Sequence, residues 1–403
     1  MAAHVDDIVC SEEKIKLFRT KFTTLITETF FPKKEPNYNA VVISNCNGQG
    51  SWSFSDATIN YTLPRNFPAS MFFISGFEEI DKYVRQCLNP VKEGEQTNIA
   101  GSYKTEQMVK KFINTVMSDS HEKCLQQLRN DKTLTEEKIK CILAIHYFKP
   151  LSKDGFCFID KCHSCKSCPL CKETLKADMK ETSFGHCSVW HGQADIVIQK
   201  SIVKIDLEDI AKLSLQDEES DEFDEESDEF DFSNIVEVKT EETKMKPKSR
   251  SQAMAQTIVN AFVEARMNKS LFNKFIPSFL ATEQNIRIIL FNCKLDKLLF
   301  SDEFPIWKKD GTLSLRTLTF VWLTLNSSMN KFDMNAKHFI ERTPVSRFKD
   351  AVGDSYEIYL NEVSRPLQKV QKENQDGPDS YEVEDWSIIC DAKKGVMKML
   401  SED

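Results

Sequence analysis

The sequence predicts an α/β fold, and three observations predict it. Between residues 104 and 300, apolar residues recur at helical spacing in some stretches and as short β-branched or aromatic runs in others. The two kinds follow one another as helix, three strands, helix, strand, with mostly helical additions on both sides. The composition, 40% hydrophobic and 29% charged over 403 residues, is that of a globular chain with material for one large domain or two modest ones.

Residues 1–103 read as a mixed region: an opening helix through Ile15, Phe18 and Phe22, then strand-like runs at Ala40–Ser44 and Ser70–Ser75. The predicted core covers 104–330. From Lys104, the residues Met108, Phe112 and Val116 fall on one helical face, and a second helical stretch runs from Thr135 to Phe148. Together they flank or form the first core helix. Strand-like His186–Trp190, Asp195–Gln199 and Ile235–Lys239 follow, then a helix over Ser251–Met267 with Ala255, Ile258, Phe262 and Ala265 on one side and Ser249 or Ser251 as its cap. A strand pair, Arg287–Cys293 and Lys297–Phe300, turns at Leu295–Asp296, and Thr312–Met329 reads as a buried helix. Residues 331–403 form a C-terminal helical extension and polar tail.

Chemistry concentrates in three segments. Gly192-Gln193-Ala194-Asp195 turns into a strand whose Ile196 and Ile198 form the opposite face, leaving Asp195 to project. In Glu237-Val238-Lys239 the alternation of a strand puts a carboxylate and an ammonium on one side and Val238 in the packing. Gln252 stands at the start of the next helix, with Gln256 one turn on. Two converging carboxylates suit a hard cation such as Mg²⁺. The plainer alternative is a turn-capping Asp195, a Glu237–Lys239 pair on a solvated face and a surface Gln252.

An acid, an acid-x-lysine and a glutamine helix in this order resemble the PD-(D/E)XK, restriction-endonuclease-like superfamily, in the branch related to lambda exonuclease and the RecB nuclease domain. The resemblance covers roughly residues 185–300, with Ala194 where the family places proline. It implies a restriction-endonuclease-like core and a Mg²⁺- or Mn²⁺-dependent nuclease acting on DNA, with RNA not excluded. It further implies that Asp195, Glu237 and the carbonyl of Val238 hold the cation. Lys239 would orient or deprotonate the water or hold the phosphate, and Gln252 would orient water or phosphate. A carboxylate on the first core helix often joins such sites, for which Glu106, Glu122, Glu136 and Glu137 are the candidates.

Within a Cys-rich insertion over 157–187, Cys162, Cys165, Cys168 and Cys171 stand at strict three-residue intervals. Thiolates at this spacing suit a structural zinc ion, with Cys157, Cys187, His163 or His186 able to complete the shell. An iron–sulfur cluster and unliganded thiols are the alternatives. His186 and His191 flank the Gly192 turn and read as structural.

The net charge of −9 is deceptive. Asp217–Phe223 repeats letter for letter at Asp224–Phe230, and residues 217–231 carry eleven carboxylates with no base, which leaves the rest of the chain near +2. Such sequence predicts a disordered acidic loop over 214–233. It is read either as a tolerated insertion or as a DNA-mimicking polyanion that also offers a site for basic protein partners. From Glu237 to Lys297, eleven Lys or Arg face six Asp or Glu, a local excess that suits phosphates. The sequence shows no signal-peptide pattern at its N-terminus and no run of about 18 apolar residues. With thirteen cysteines as well, the expectation is an intracellular protein, nuclear or cytoplasmic, without a membrane partner. Rival functions are a catalytically silent nucleic-acid-binding protein of the same fold and a zinc-dependent interaction scaffold.

Overall fold

Every residue of Asn234–Val238 (β9), Ile276–Ala281 (β10) and Lys297–Ser301 (β12) is buried, because helices cover both faces of the sheet to which they belong. A computed structural model describes residues 12–30, 36–88, 100–131, 133–152, 156–160, 167–169, 171–173, 179–199, 233–241, 246–327 and 342–365. Within them the chain is mixed α/β, built on a mixed ten-stranded sheet ordered β3-β1-β12-β11-β10-β9-β8-β4-β5, with β13 (Phe304–Pro305) paired to β11. The first strands are β1 (Asn37–Cys46), the short β2 (Trp52–Ser53) and β3 (Ile59–Pro68). Then come β4 (Phe156–Asp160), β5 (Met179–Lys180), β6 (Ser183–Gly185), β7 (Trp190–Gln193), β8 (Ile196–Gln199) and β11 (Asn285–Asn292). A small second sheet holds β2, β7 and β6.

One face is covered by α1 (Glu12–Phe30), α2 (Ile74–Leu88), α3 (Ala100–Val116), α5 (Glu136–Leu143) and α7 (Leu315–Leu325), with α4 (Asp119–Asn130) against α5. Phe18, Phe112 and Trp322 meet in this layer, Phe112 stacking on Trp322 at 4.6 Å. The other face is covered by α6 (Pro247–Met267), α8 (Phe348–Val352) and α9 (Tyr356–Asn361). The pleat sorts side chains between the two cores: Val236 and Val238 enter the first and Ile235 the second.

Strand β8 runs antiparallel to both of its neighbours, β4 and β9. Helix α6 then crosses over, and β10 returns parallel to β9. A meander of β10, β11 and β12 ends against β1, so the sheet draws strands from both sides of residue 103.

Several expected elements are corrected. Ser70–Ser75 is not a strand but a 3₁₀ turn, Ala69–Phe72, running into α2. Of the expected strand His186–Trp190 only Trp190 is extended, as the first residue of β7, after a turn at 187–189; the strand paired with β8 in the main sheet is β4, largely inside the expected Cys-rich insertion. Helix α6 starts a turn early, with Lys246 as its cap and Pro247 in its first turn, where a missing N–H costs nothing. Ser251 instead accepts a hydrogen bond from the Ile59 backbone amide at 3.2 Å. Strand β10 was not anticipated because Pro277 interrupts it. Proline is tolerated there because pairing with β9 begins one residue later, at Ser278. The acidic repeat 217–231 lies outside the described residues, as do Cys162, His163 and Cys165. No helix among the described residues is long and apolar enough to cross a membrane.

Candidate active site and metal centre

Strand register makes the first site. Ile196 pairs with Val236, so the next residues outward, Asp195 and Glu237, face each other across neighbouring antiparallel strands and point to the same side. Asp195 Oδ2 accepts the Val238 backbone N–H at 2.7 Å, which fixes the carboxylate against the end of β9. Gly192, at φ +140°, lies within β7, not in the expected turn, and the chain bends at Asp195 before entering β8. An added Cβ at Gly192 would be strained and would meet Phe54 at 3.1 Å.

Lys239 continues the parallel ladder through its amide to Ala281 O at 2.9 Å, and its Nζ lies 2.5 Å from Glu237 Oε1. That approach is a charge contact, since Oε1 is buried and has no hydrogen bond of good geometry. Glu237 Oε2 accepts from Gln256 Nε2 at 2.7 Å, and the same amide also donates to Gln193 O at 3.1 Å. Gln256 is therefore the glutamine that reaches the acids. Gln252, the residue expected from sequence, is half-buried one turn nearer the helix start. An i, i+4 pair shares one face, so periodicity alone could not choose between them.

Helix α5 adds two groups. Lys140 Nζ sits 2.6 Å from Asp195 Oδ1 and 3.4 Å from Glu136 Oε1, which in turn lies 3.5 Å from Lys239 Nζ. Of the four candidate acids, Glu136 is the one these contacts bring to the cluster, Glu106 having no described side chain, and Lys140 was missed. A lysine one turn after Glu136 carries no sequence signal distinct from an ordinary helical ion pair. In the sheet, Asp160 occupies the position beside Asp195, but its Oδ2 accepts from Thr182 Oγ1 at 3.2 Å.

Three carboxyls against two ammoniums leave one acid more than the bases neutralise. Burial, then the charge of Asp195, push Glu237 up to about 8 against the opposing pull of Lys239 and Gln256. Burial alone would lower Lys239, but Glu237, Asp195 and Glu136 outweigh it and hold the ammonium above its ordinary range. Lys140 behaves alike, burial being offset chiefly by Asp195.

The second site is a thiol cluster. Cys124 on α4, His146 just after α5, Cys168 and Cys171 place one ligand atom each within 4.8 Å of all the others, a set that could hold a metal ion. Cys171 Sγ lies 3.3 Å from His146 Nε2. Of the four expected ligands, Cys168 and Cys171 take part, whereas Cys162 and Cys165 lie outside the described residues. Among the described residues the group is completed by Cys124 and His146, not by the expected Cys157, Cys187 or His186, of which Cys157 is buried in β4 and His186 Nε2 sits 3.3 Å from Glu362; His163 lies outside the described residues. His191 Nδ1 lies 2.9 Å from Val189 O. No family model, curated protein or solved structure matches this chain.

Proposed function

We propose that the chain is a metal-dependent nuclease of the PD-(D/E)XK type, acting on DNA through a Mg²⁺ or Mn²⁺ ion held by Asp195, Glu237 and the Val238 carbonyl. The observation that carries this reading is the register that sets Asp195 opposite Glu237, with Lys239 two residues beyond on the same side. The order α5, three antiparallel strands, α6 and a strand parallel to the third is the topology expected of a restriction-endonuclease-like core and supports the same reading.

The residues fit a hard cation. Two oxygen-bearing side chains converge, one of them holds a buried oxygen met only by charge, and their mutual repulsion is what a divalent ion relieves. When bound, such an ion lowers the pKa of a coordinated water and stabilises charge on the phosphorane. The chain's own groups then divide the remaining work. Lys239, held as an ammonium, serves as a positive charge on the scissile phosphate or the water rather than as a base. Gln256 fixes the Glu237 carboxyl through one amide proton while anchoring to Gln193 O, so the acid cannot rotate away from Asp195. Lys140 restrains Asp195 from the helical side.

A second reading has one observation in its favour: Lys140 and Lys239 already lie against Asp195 and Glu237, as they would in a catalytically silent nucleic-acid-binding protein with a closed ion-pair cluster. One experiment separates the two. Purified protein with Mg²⁺ or Mn²⁺ is expected to cleave DNA, and Glu237→Ala or Lys239→Ala to lower the rate by at least about 100-fold with little loss of DNA affinity. Intact DNA under all metal conditions establishes the silent reading.

A further inference from the structure

The thiol cluster joins three pieces of chain distant in sequence. Cys124 comes from α4 and His146 from a π turn, Ala144–Phe148. Pro150 offers no N–H to the carbonyl of His146, and Lys149 N–H bonds back to Ala144 O, one residue farther than in an α-helix. The bulge rotates His146 off the regular helical path, where its ring reaches Cys171. The third piece carries Cys168 and Cys171, and Lys172 N–H donates back to Cys168 O at 3.0 Å, with Lys172 at φ 61°. This tight turn presents two thiols to one side.

The dimensions select the ligand. Four ligand atoms within 4.8 Å of one another enclose the space of one ion. Tetrahedral zinc, with bonds near 2.3 Å to sulfur and 2.0–2.1 Å to nitrogen, wants its ligand atoms roughly 3.7 Å apart. An iron–sulfur cluster divides its four ligands among two or four irons, which sets ligand atoms on different irons farther apart than one ion does. Three soft thiolates and an imidazole exclude magnesium or calcium as the resident ion.

We propose that Cys124, His146, Cys168 and Cys171 bind one zinc ion through three thiolates and one imidazole nitrogen, and that the ion ties the 168–171 turn to the helical run 136–151. Three thiol protons leave to solvent on binding, so the complex tightens as pH rises. The tie gives the 168–171 turn, which lies between β4 and β5, a fixed anchor. It also pins the C-terminal end of the run whose first two turns carry Glu136 and Lys140. This inference stands on the cluster geometry and does not depend on nuclease activity.

The test uses the full chain. Elemental analysis is expected to find about one zinc per chain, and X-ray absorption at the zinc edge a shell of three sulfurs and one nitrogen. His146→Ala and Cys171→Ser should each lose more than half the zinc, whereas Cys162→Ser and Cys165→Ser should keep it. Should the first two variants fail to fold, the absorption shell of the unaltered protein still decides. Stripping zinc with a chelator should lower Tm and speed amide exchange across 136–151 while leaving α7 protected. Metal-free folded protein, a four-sulfur shell, iron with sulfide, or zinc lost on changing Cys162 or Cys165 would each overturn the ligand set. Unchanged exchange across 136–151 after stripping would overturn the tie.

Discussion

Replacing Glu237 by Gln removes a buried carboxyl that burial and the neighbouring Asp195 push toward its protonated form. The side chain keeps its shape, and its oxygen can still accept from Gln256, so the change reports on charge alone. In the folded chain Glu237 titrates near 8, against an ordinary value of 4.5. Between those pH values the native state holds a proton that the unfolded state has lost. Stability from this group therefore falls as pH rises through the window and is level above about 8. At about 1.4 kcal/mol per pH unit, the window corresponds to a penalty on the order of 5 kcal/mol. Part of that gain is forfeited in Glu237→Gln, because Lys239 loses its charged neighbour at 2.5 Å and keeps Glu136 at 3.5 Å. The expected outcome in thermal melts is a variant equal to the parent near pH 5 and more stable by about 2 kcal/mol near pH 9. A divalent cation requires the deprotonated acid. Mg²⁺ at a hundredfold its Kd should therefore stabilise the parent by about 2.7 kcal/mol at pH 9, and by less at pH 6. The variant should gain nothing. Parallel pH profiles for parent and variant would refute the argument that burial and Asp195 hold the proton on Glu237, and equal Mg²⁺ shifts would refute its place as a ligand.

Lys140→Met should destabilise the metal-free protein by roughly 3 kcal/mol in denaturant titrations, because it leaves Asp195 Oδ1 without its ion-pair partner at 2.6 Å, and added Mg²⁺ should recover part of that loss. Gln256→Ala should slow cleavage by about 10-fold or more while Gln252→Ala changes it by less than about 2-fold, since Gln256 is the one that holds Glu237; equal effects in a single-turnover assay would contradict that assignment. Deleting Asp217–Asp231 should tighten DNA binding mainly at low salt, with a same-charge scrambled loop as control, because eleven tethered carboxylates compete for the basic flank that includes Lys246, Lys248 and Arg250. An unchanged salt slope in a binding titration would make the repeat a passive insertion.

Local sequence was enough to put Glu237 and Lys239 on one side of a strand and to offer Asp195 as a second acid, while the pairing of the two acids came from the β8–β9 register. A strand alternates its side chains whatever the fold, so Glu237 and Lys239 had to share a side; the turn expected at Gly192 is instead the end of β7, and the chain bends at Asp195. The buried helix Leu315–Leu325 and the strand pair around Asp296 were legible for the same reason, that their signals are local. What only the tertiary structure decided lies in long-range placement. Helix α5 meets β8 and β9 from 50 or more residues away, so neither the choice of Glu136 among four acids nor the role of Lys140 could be read from spacing. The evenly spaced cysteines hid the cluster because half of its ligands, Cys124 and His146, come from separate helical segments upstream. His146 sits in the π turn Ala144–Phe148, just before Pro150, a backbone irregularity that helical periodicity does not announce. Gln256 displaced Gln252 because helix rotation is set by how α6 packs on the sheet, and periodicity fixes a face without saying which turn along it touches the acid.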